Sequence, residues 1–191
     1  MNFNFVKRKD VGEMNTEYQK TATNVKIKDM VISALLIALV FVATRFINFR
    51  LPTSINGGLV HLGNTMLFVA AIVFGKKKGA VAGAFGMGLF DLLSEWAYWA
   101  PFTFVIRGVM GYLIGLIAYS KGRNGNDVRW NGIAIVISGV WMIAGYYVSE
   151  IILYHNVLVP LTSIPGDIIQ IVLGAIIGLP AAHAIKKTNV F

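Results

Sequence analysis

Gly57–Leu93 reads GGLVHLGNTMLFVAAIVFGKKKGAVAGAFGMGLFDLL, two apolar runs divided by three consecutive lysines. The runs Leu59–Phe74 and Ala80–Leu93 hold one carboxylate between them, Asp91, and no cation. A charge-poor stretch on each side of a basic turn is the signature of two membrane segments joined on one face of a bilayer. Both runs are shorter than the ~20 residues that a helix needs to cross a ~30 Å hydrocarbon core. Two short, Gly-rich spans are the expectation, with a re-entrant hairpin as the alternative.

Working outward, four further apolar segments flank this pair: Met30–Ile47 before it, then 101–119, Trp130–Tyr154 and Ile164–Ile185. Each is long enough to span. Of the 191 residues 56% are hydrophobic and 14% charged, against about 25% charged in soluble domains. The formal charge of +8 would suit nucleic acid in a soluble protein, but here the basic residues cluster between apolar runs. With no cysteine, disulfides, Fe–S clusters, thiol nucleophiles and Cys-based zinc sites are excluded. The expected fold is an all-α integral membrane protein of six transmembrane helices. Met1–Val25, polar and without a signal-peptide core, reads as a cytoplasmic tail. Residues 26–187 form the membrane domain and 188–191 a second tail.

Charge sets the orientation. Fourteen of the 17 basic residues precede the first span, fill the second–third and fourth–fifth connections, or follow the sixth. The positive-inside rule makes those segments and both termini cytoplasmic. Small residues recur at four-residue spacing as Gly79/Gly83, Gly111/Gly115, Gly174/Gly178 and Ala34/Ala38. Such pairs let helix backbones approach closely in lipid, where no hydrophobic drive joins helices.

Position along each span then fixes depth. His61 and Asn64 fall in the outer half of their span, and Arg107 about two turns deep. Asp91, Glu95, Tyr146, Glu150, Asp167 and Gln170 fall toward the outer ends, so nearly every polar group lies in the outer third. Tyr146, Glu150 and Tyr154 share one helix face, and Asp167, Gln170 and Gly174 another. Ionisable groups in a bilayer mark a functional site by default. The candidate substrate-binding set is His61, Asn64, Glu95, Trp99, Arg107, Tyr146, Glu150, Asp167 and Gln170. Arg107 can serve as ion-pair partner, ligand contact or both, and Asp91 reads as structural. Trp96 and Tyr98 read as interfacial belt residues.

At this level four carboxylates (Asp91, Glu95, Glu150, Asp167) face three guanidiniums (Arg45, Arg50, Arg107). Phosphates and dicarboxylates want the opposite balance. A small, neutral or weakly basic heteroaromatic with hydroxyls fits. Gly75–Gly79 reads GKKKG and cannot form a nucleotide P-loop. There is no HExxH or GxSxG, and His61, His155 and His183 suggest no metal cluster. No catalytic residue, metal or cofactor is expected. A binding protein without its own motor leads, ahead of a self-sufficient proton-coupled carrier or channel. An intramembrane enzyme acting through Asp91 and Asp167 is the third class.

The Gly57–Leu93 stretch, with APFTFVIRGVMGYLIG at Ala100–Gly115, resembles the S components of energy-coupling factor (ECF) vitamin transporters. The resemblance covers about Lys26–Lys187 and points to the branch for riboflavin-, pyridoxine- and hydroxymethylpyrimidine-type substrates. It implies a prokaryotic plasma-membrane protein that works with a membrane coupling subunit and two cytoplasmic ATPases. It implies an outward-facing vitamin pocket, and it makes Ala34 and Ala38 the AxxxA motif that docks on the coupling subunit. Hydroxymethylpyrimidine or pyridoxine stands ahead of riboflavin.

Overall fold

The computed structural model describes residues 3–50 and 59–188, with side chains described from Glu17 onward. Its helices are α1 (Phe3–Phe46), α2 (Gly63–Phe74), α3 (Lys76–Leu92), α4 (Ala100–Ala118), α5 (Val128–Tyr154) and α6 (Ile164–Lys187). A small antiparallel hairpin joins α1 to α2. Its strands are β1 (Asn48–Arg50) and β2 (Leu59–His61), paired Asn48 with His61 and Arg50 with Leu59. The chain divides into a unit ending at Leu35 and a unit beginning at Leu36. The first is the leading part of α1, and everything below concerns the second unless stated.

One expectation changes, at the second span, while the N-terminal segment is helical from Phe3. No proline occurs before Phe46 to end that helix. At the second span, Leu59–His61 is a strand and the helix starts only at Gly63. The amide of Leu62 extends the hairpin by donating to the Ile47 carbonyl at 3.0 Å. At 1.5 Å per residue, the 12 residues of α2 run only about 18 Å, so the hairpin completes that layer.

Between α2 and α3 the chain reverses at Gly75, whose φ of 86° is the left-handed region that glycine enters without steric cost. The glycine pairs then set how closely the helices approach. A Cβ on Gly111 would stand 2.2 Å from the Gly79 carbonyl oxygen, and one on Gly115 2.3 Å from the Lys76 nitrogen. On Gly174 it would meet the Asn64 side chain at 2.9 Å. Gly79, Gly111 and Gly115 thus join α3 to α4, and Gly174 joins α6 to α2.

Around this interior the helices turn apolar side chains outward. Val136 and Val140 on α5 and Ile176 on α6 are each 64% exposed, a surface suited to lipid and not to water. Helices α4, α5 and α6 lie within segments long and apolar enough to span a membrane, as does Glu17–Phe46 of α1. The basic segments gather at one end. There the Lys186 ammonium donates to the Tyr119 hydroxyl at 3.4 Å, and Gly115 packs against Lys76. Asp127 caps α5 at this end, its side chain accepting from the Arg129 and Trp130 amides at 3.0 and 3.3 Å. The polar residues of the outer third lie at the opposite end.

Candidate ligand-binding site

At that opposite end a cavity of about 110 Å³ opens, or about 640 Å³ with its mouth included. Four helices, β2 and the segment before α4 build it. Strand β2 brings His61, α3 brings Asp91, and α4 brings Thr103 and Arg107 four residues apart on one face. Helix α5 contributes Tyr146 and Glu150, again one turn apart, and α6 contributes Asp167 and Gln170. Trp99, just before α4, supplies an aromatic wall.

Arg107 is the polar centre and is 3% exposed. Its Nε donates to the Tyr146 hydroxyl at 3.0 Å, one Nη to the Asn64 amide oxygen at 2.5 Å, and the other to Gln170 Oε1 at 3.4 Å. Its guanidinium carbon also sits 5.0 Å from the centre of the Tyr146 ring. Among the described residues no carboxylate lies within ion-pairing distance of it. A buried cation held by neutral groups keeps its charge available to the cavity. Its hydrogen-bond partners are therefore an amide, a phenol and a second amide, where an ion pair with Asp91, Glu95 or Glu150 was one expectation.

Trp99 packs edge-on to Tyr146, with ring centroids 6.0 Å apart, and tilts toward Tyr154 at 6.3 Å. Glu150 is buried and accepts from the Ser163 hydroxyl at 3.0 Å. His61 Nδ1 accepts from the Gly63 amide at 3.2 Å, which places the imidazole proton on Nε2. Gln170 is buried, and its Nε2 has no partner among the described residues.

Of the residues singled out in the sequence, His61, Trp99, Arg107, Tyr146, Glu150, Asp167 and Gln170 come together around the cavity. Asn64 lies beneath it and reaches it through Arg107. Glu95 is not brought in: it is exposed, pairs with Arg50 and is absent from the lining. Asp91, read as structural, and Trp96, read as an interfacial residue, both line the wall. So do Leu59, Val60, Thr103, Ser163 and Gly166, which the sequence reading passed over. Thr103 had a signal, its position one turn before Arg107; Leu59 and Val60 had none, because the hairpin is invisible to hydropathy. Three carboxylates, Asp91, Glu150 and Asp167, therefore face a single guanidinium. Among the described residues no group of three or more His, Cys, Asp or Glu could hold a metal ion.

Four helices framing a polar, aromatic-walled cavity at one end of an apolar bundle define a multi-pass membrane protein that holds a small ligand. Residues 24–187 match the family model of the S component of ECF-type riboflavin transporters, and the chain belongs to that family. It is a substrate-binding membrane subunit of an importer, not an enzyme. The chain is 27% identical over 174 residues to the thiamine precursor transporter HmpT of Lactococcus lactis subsp. cremoris (strain MG1363), covering 90% of this chain and 95% of that one. It is 32% identical over 146 residues to an uncharacterized Pyrococcus woesei protein "in gap 3'region", covering 72% and 89%. The fold also matches that in a study of the structure and mechanism of the S component of a bacterial ECF transporter. The TM-score is 0.66 at 19% identity, over 87% of this chain and 99% of that one.

Proposed function

We propose that the ligand is a single-ring heteroaromatic vitamin or precursor, with a hydroxymethylpyrimidine or pyridoxine ahead of riboflavin. The observation that carries this reading is the cavity's charge: three carboxylates line it against one guanidinium, with Trp99 and Tyr146 as flat walls. Carboxylates suit amino groups and repel phosphates. A relative named as a thiamine precursor transporter is consistent with that choice.

Ligand entering from outside is delivered through a membrane coupling subunit and two cytoplasmic ATPase subunits. The docking residues are Ala34 and Ala38, four apart in the sequence and each exposed.

Calorimetric titration of the purified protein with hydroxymethylpyrimidine, pyridoxine and riboflavin tests the ligand. Hydroxymethylpyrimidine or pyridoxine should bind at least about tenfold more tightly than riboflavin, a difference of ~1.4 kcal/mol. Tighter binding of riboflavin overturns the reading. Uptake into proteoliposomes should require the ATPase partners and ATP. Uptake driven by a proton gradient alone would favour a secondary carrier.

A further inference from the structure

The cavity's polar groups are sorted by depth. Asp167 stands in the first turn of α6, Glu150 four residues from the outer end of α5, and Asp91 next to the last residue of α3. By contrast, Arg107 is seven residues into α4 and Gln170 six into α6, about 9–11 Å along each axis. Carboxylates therefore ring the mouth, beside the Trp99 indole Nε1, a buried donor with no partner among the described residues, and the deeper layer is built from donors.

The deep donors are specific. Gln170 Oε1 faces Arg107, so its amide nitrogen is turned elsewhere, and the opposite amide orientation would set NH2 against a guanidinium. That nitrogen is buried and has no partner among the described residues. Arg107 carries five N–H donors. Tyr146 takes the Nε hydrogen, Asn64 and the Met110 and Met142 sulfurs occupy one Nη, and Gln170 takes a single hydrogen of the other. A second Nη hydrogen is left over. Two buried donors without acceptors among the described residues thus belong to side chains that line the cavity, where leaving them unpaired costs stability.

We propose that the site fixes the ligand's orientation by this polarity: ring acceptor atoms point inward onto Gln170 and Arg107, and the amino-bearing edge points outward to the carboxylates. The assignment rests on the single-ring heteroaromatic reading above and adds to it which edge of the ring enters first. It selects an amphoteric ring with acceptors on one edge and donors on the other. A ring bearing donors alone meets donors at the base, and one bearing acceptors alone meets carboxylates at the mouth.

Three probes separate the layers: an aminopyrimidine carrying a hydroxymethyl group, its aniline counterpart with ring nitrogens replaced by C–H, and the same pyrimidine without the amino group. On the wild-type protein each altered probe should bind about tenfold or more weakly than the parent, as expected for one lost buried hydrogen bond. Gln170→Leu should weaken the parent about tenfold yet leave the aniline within about threefold. Asp167→Asn should weaken the parent and leave the amino-free pyrimidine within about threefold.

The reversed pattern, or equal losses for all probes in both variants, overturns the orientation while the ligand class stands. Failure of the wild-type protein to bind the parent probe overturns both. Should either variant not fold, the wild-type comparison decides: ring-nitrogen replacement costing less than about twofold overturns the orientation.

Discussion

The Asn64 side-chain amide accepts a 2.5 Å hydrogen bond from Arg107 and thereby ties α2 to α4 beneath the cavity. Both residues are buried, at 0% and 3% exposure, so neither can exchange this partner for water. Asn64→Leu should lower stability by about 1–3 kcal/mol, because it strands an Nη hydrogen of a buried cation. Asn64→Asp should stay within about 1 kcal/mol of wild type, because a carboxylate replaces the lost acceptor with a charged one. Thermal melting of the purified variants checks this. Equal melting of Asn64→Leu and wild type would show that the bond contributes nothing.

The α3–α4 contact gives a second prediction. Gly111→Ala places a methyl 2.2 Å from the Gly79 carbonyl oxygen, a backbone atom that cannot rotate away. The helices must separate, and destabilisation of about 1–3 kcal/mol or loss of folding is expected. Gly132→Ala on α5 is the control, since nothing lies within 4 Å of its added methyl. That variant should melt at or slightly above wild type, as alanine is the better helix former by about 1 kcal/mol. Equal behaviour of the two variants would remove close packing as the role of Gly111.

Trp99 provides a third. Its ring lies edge-on to Tyr146 and lines the cavity, so Trp99→Ala removes a wall while Trp99→Phe keeps a smaller one. Trp99→Ala should weaken vitamin binding about 10- to 100-fold, and Trp99→Phe less than about tenfold. Tryptophan fluorescence is ambiguous with three other tryptophans present, so calorimetry is the measurement. Undiminished affinity in Trp99→Ala would remove this ring from the binding surface.

Orientation across the bilayer gives a fourth. Lys77 lies at the basic end and Tyr98 at the cavity end. In this cysteine-free chain Lys77→Cys should react with an impermeant thiol reagent only after the membrane is opened, and Tyr98→Cys should react in intact cells. Labelling of position 77 from outside would invert the topology.

How far the sequence reached depended on what makes each element form. Helices α4, α5 and α6 were legible because hydropathy sees long apolar runs, and their limits fell within about two residues of expectation. The hairpin was not, since Leu59–His61 is apolar enough to read as helix and only its pairing with Asn48–Arg50 makes it a strand. Helical spacing brought Tyr146 and Glu150, and Asp167 and Gln170, onto cavity-facing sides because i, i+3 and i+4 positions share a face. Spacing says nothing of loops. Glu95 and Trp96 are neighbours at the outer end of α3, yet Trp96 lines the cavity while Glu95 turns to Arg50. The neutral partners of Arg107 were equally hidden, since they come from α2, α5 and α6 and meet only in three dimensions.

The last prediction separates binding from transport. Ala34 and Ala38 are exposed, although the same helix buries Leu36, Val40 and Ala43. Two alanines one turn apart offer a shallow strip against which another helix can lie closely, and a large side chain would hold that helix several ångströms away. The positive-inside rule puts both in the cytoplasmic half of the first span, far along the sequence from the residues that line the cavity. Ala34→Trp and Ala38→Trp should therefore leave vitamin affinity of the isolated protein within about threefold of wild type. They should abolish ATP-dependent uptake when the coupling subunit and ATPases are reconstituted with it. Ligand titration and vesicle uptake are measured on the same preparations. Normal uptake by both variants would remove the strip from the coupling interface. Loss of binding together with a lowered melting temperature would assign it to packing within the chain.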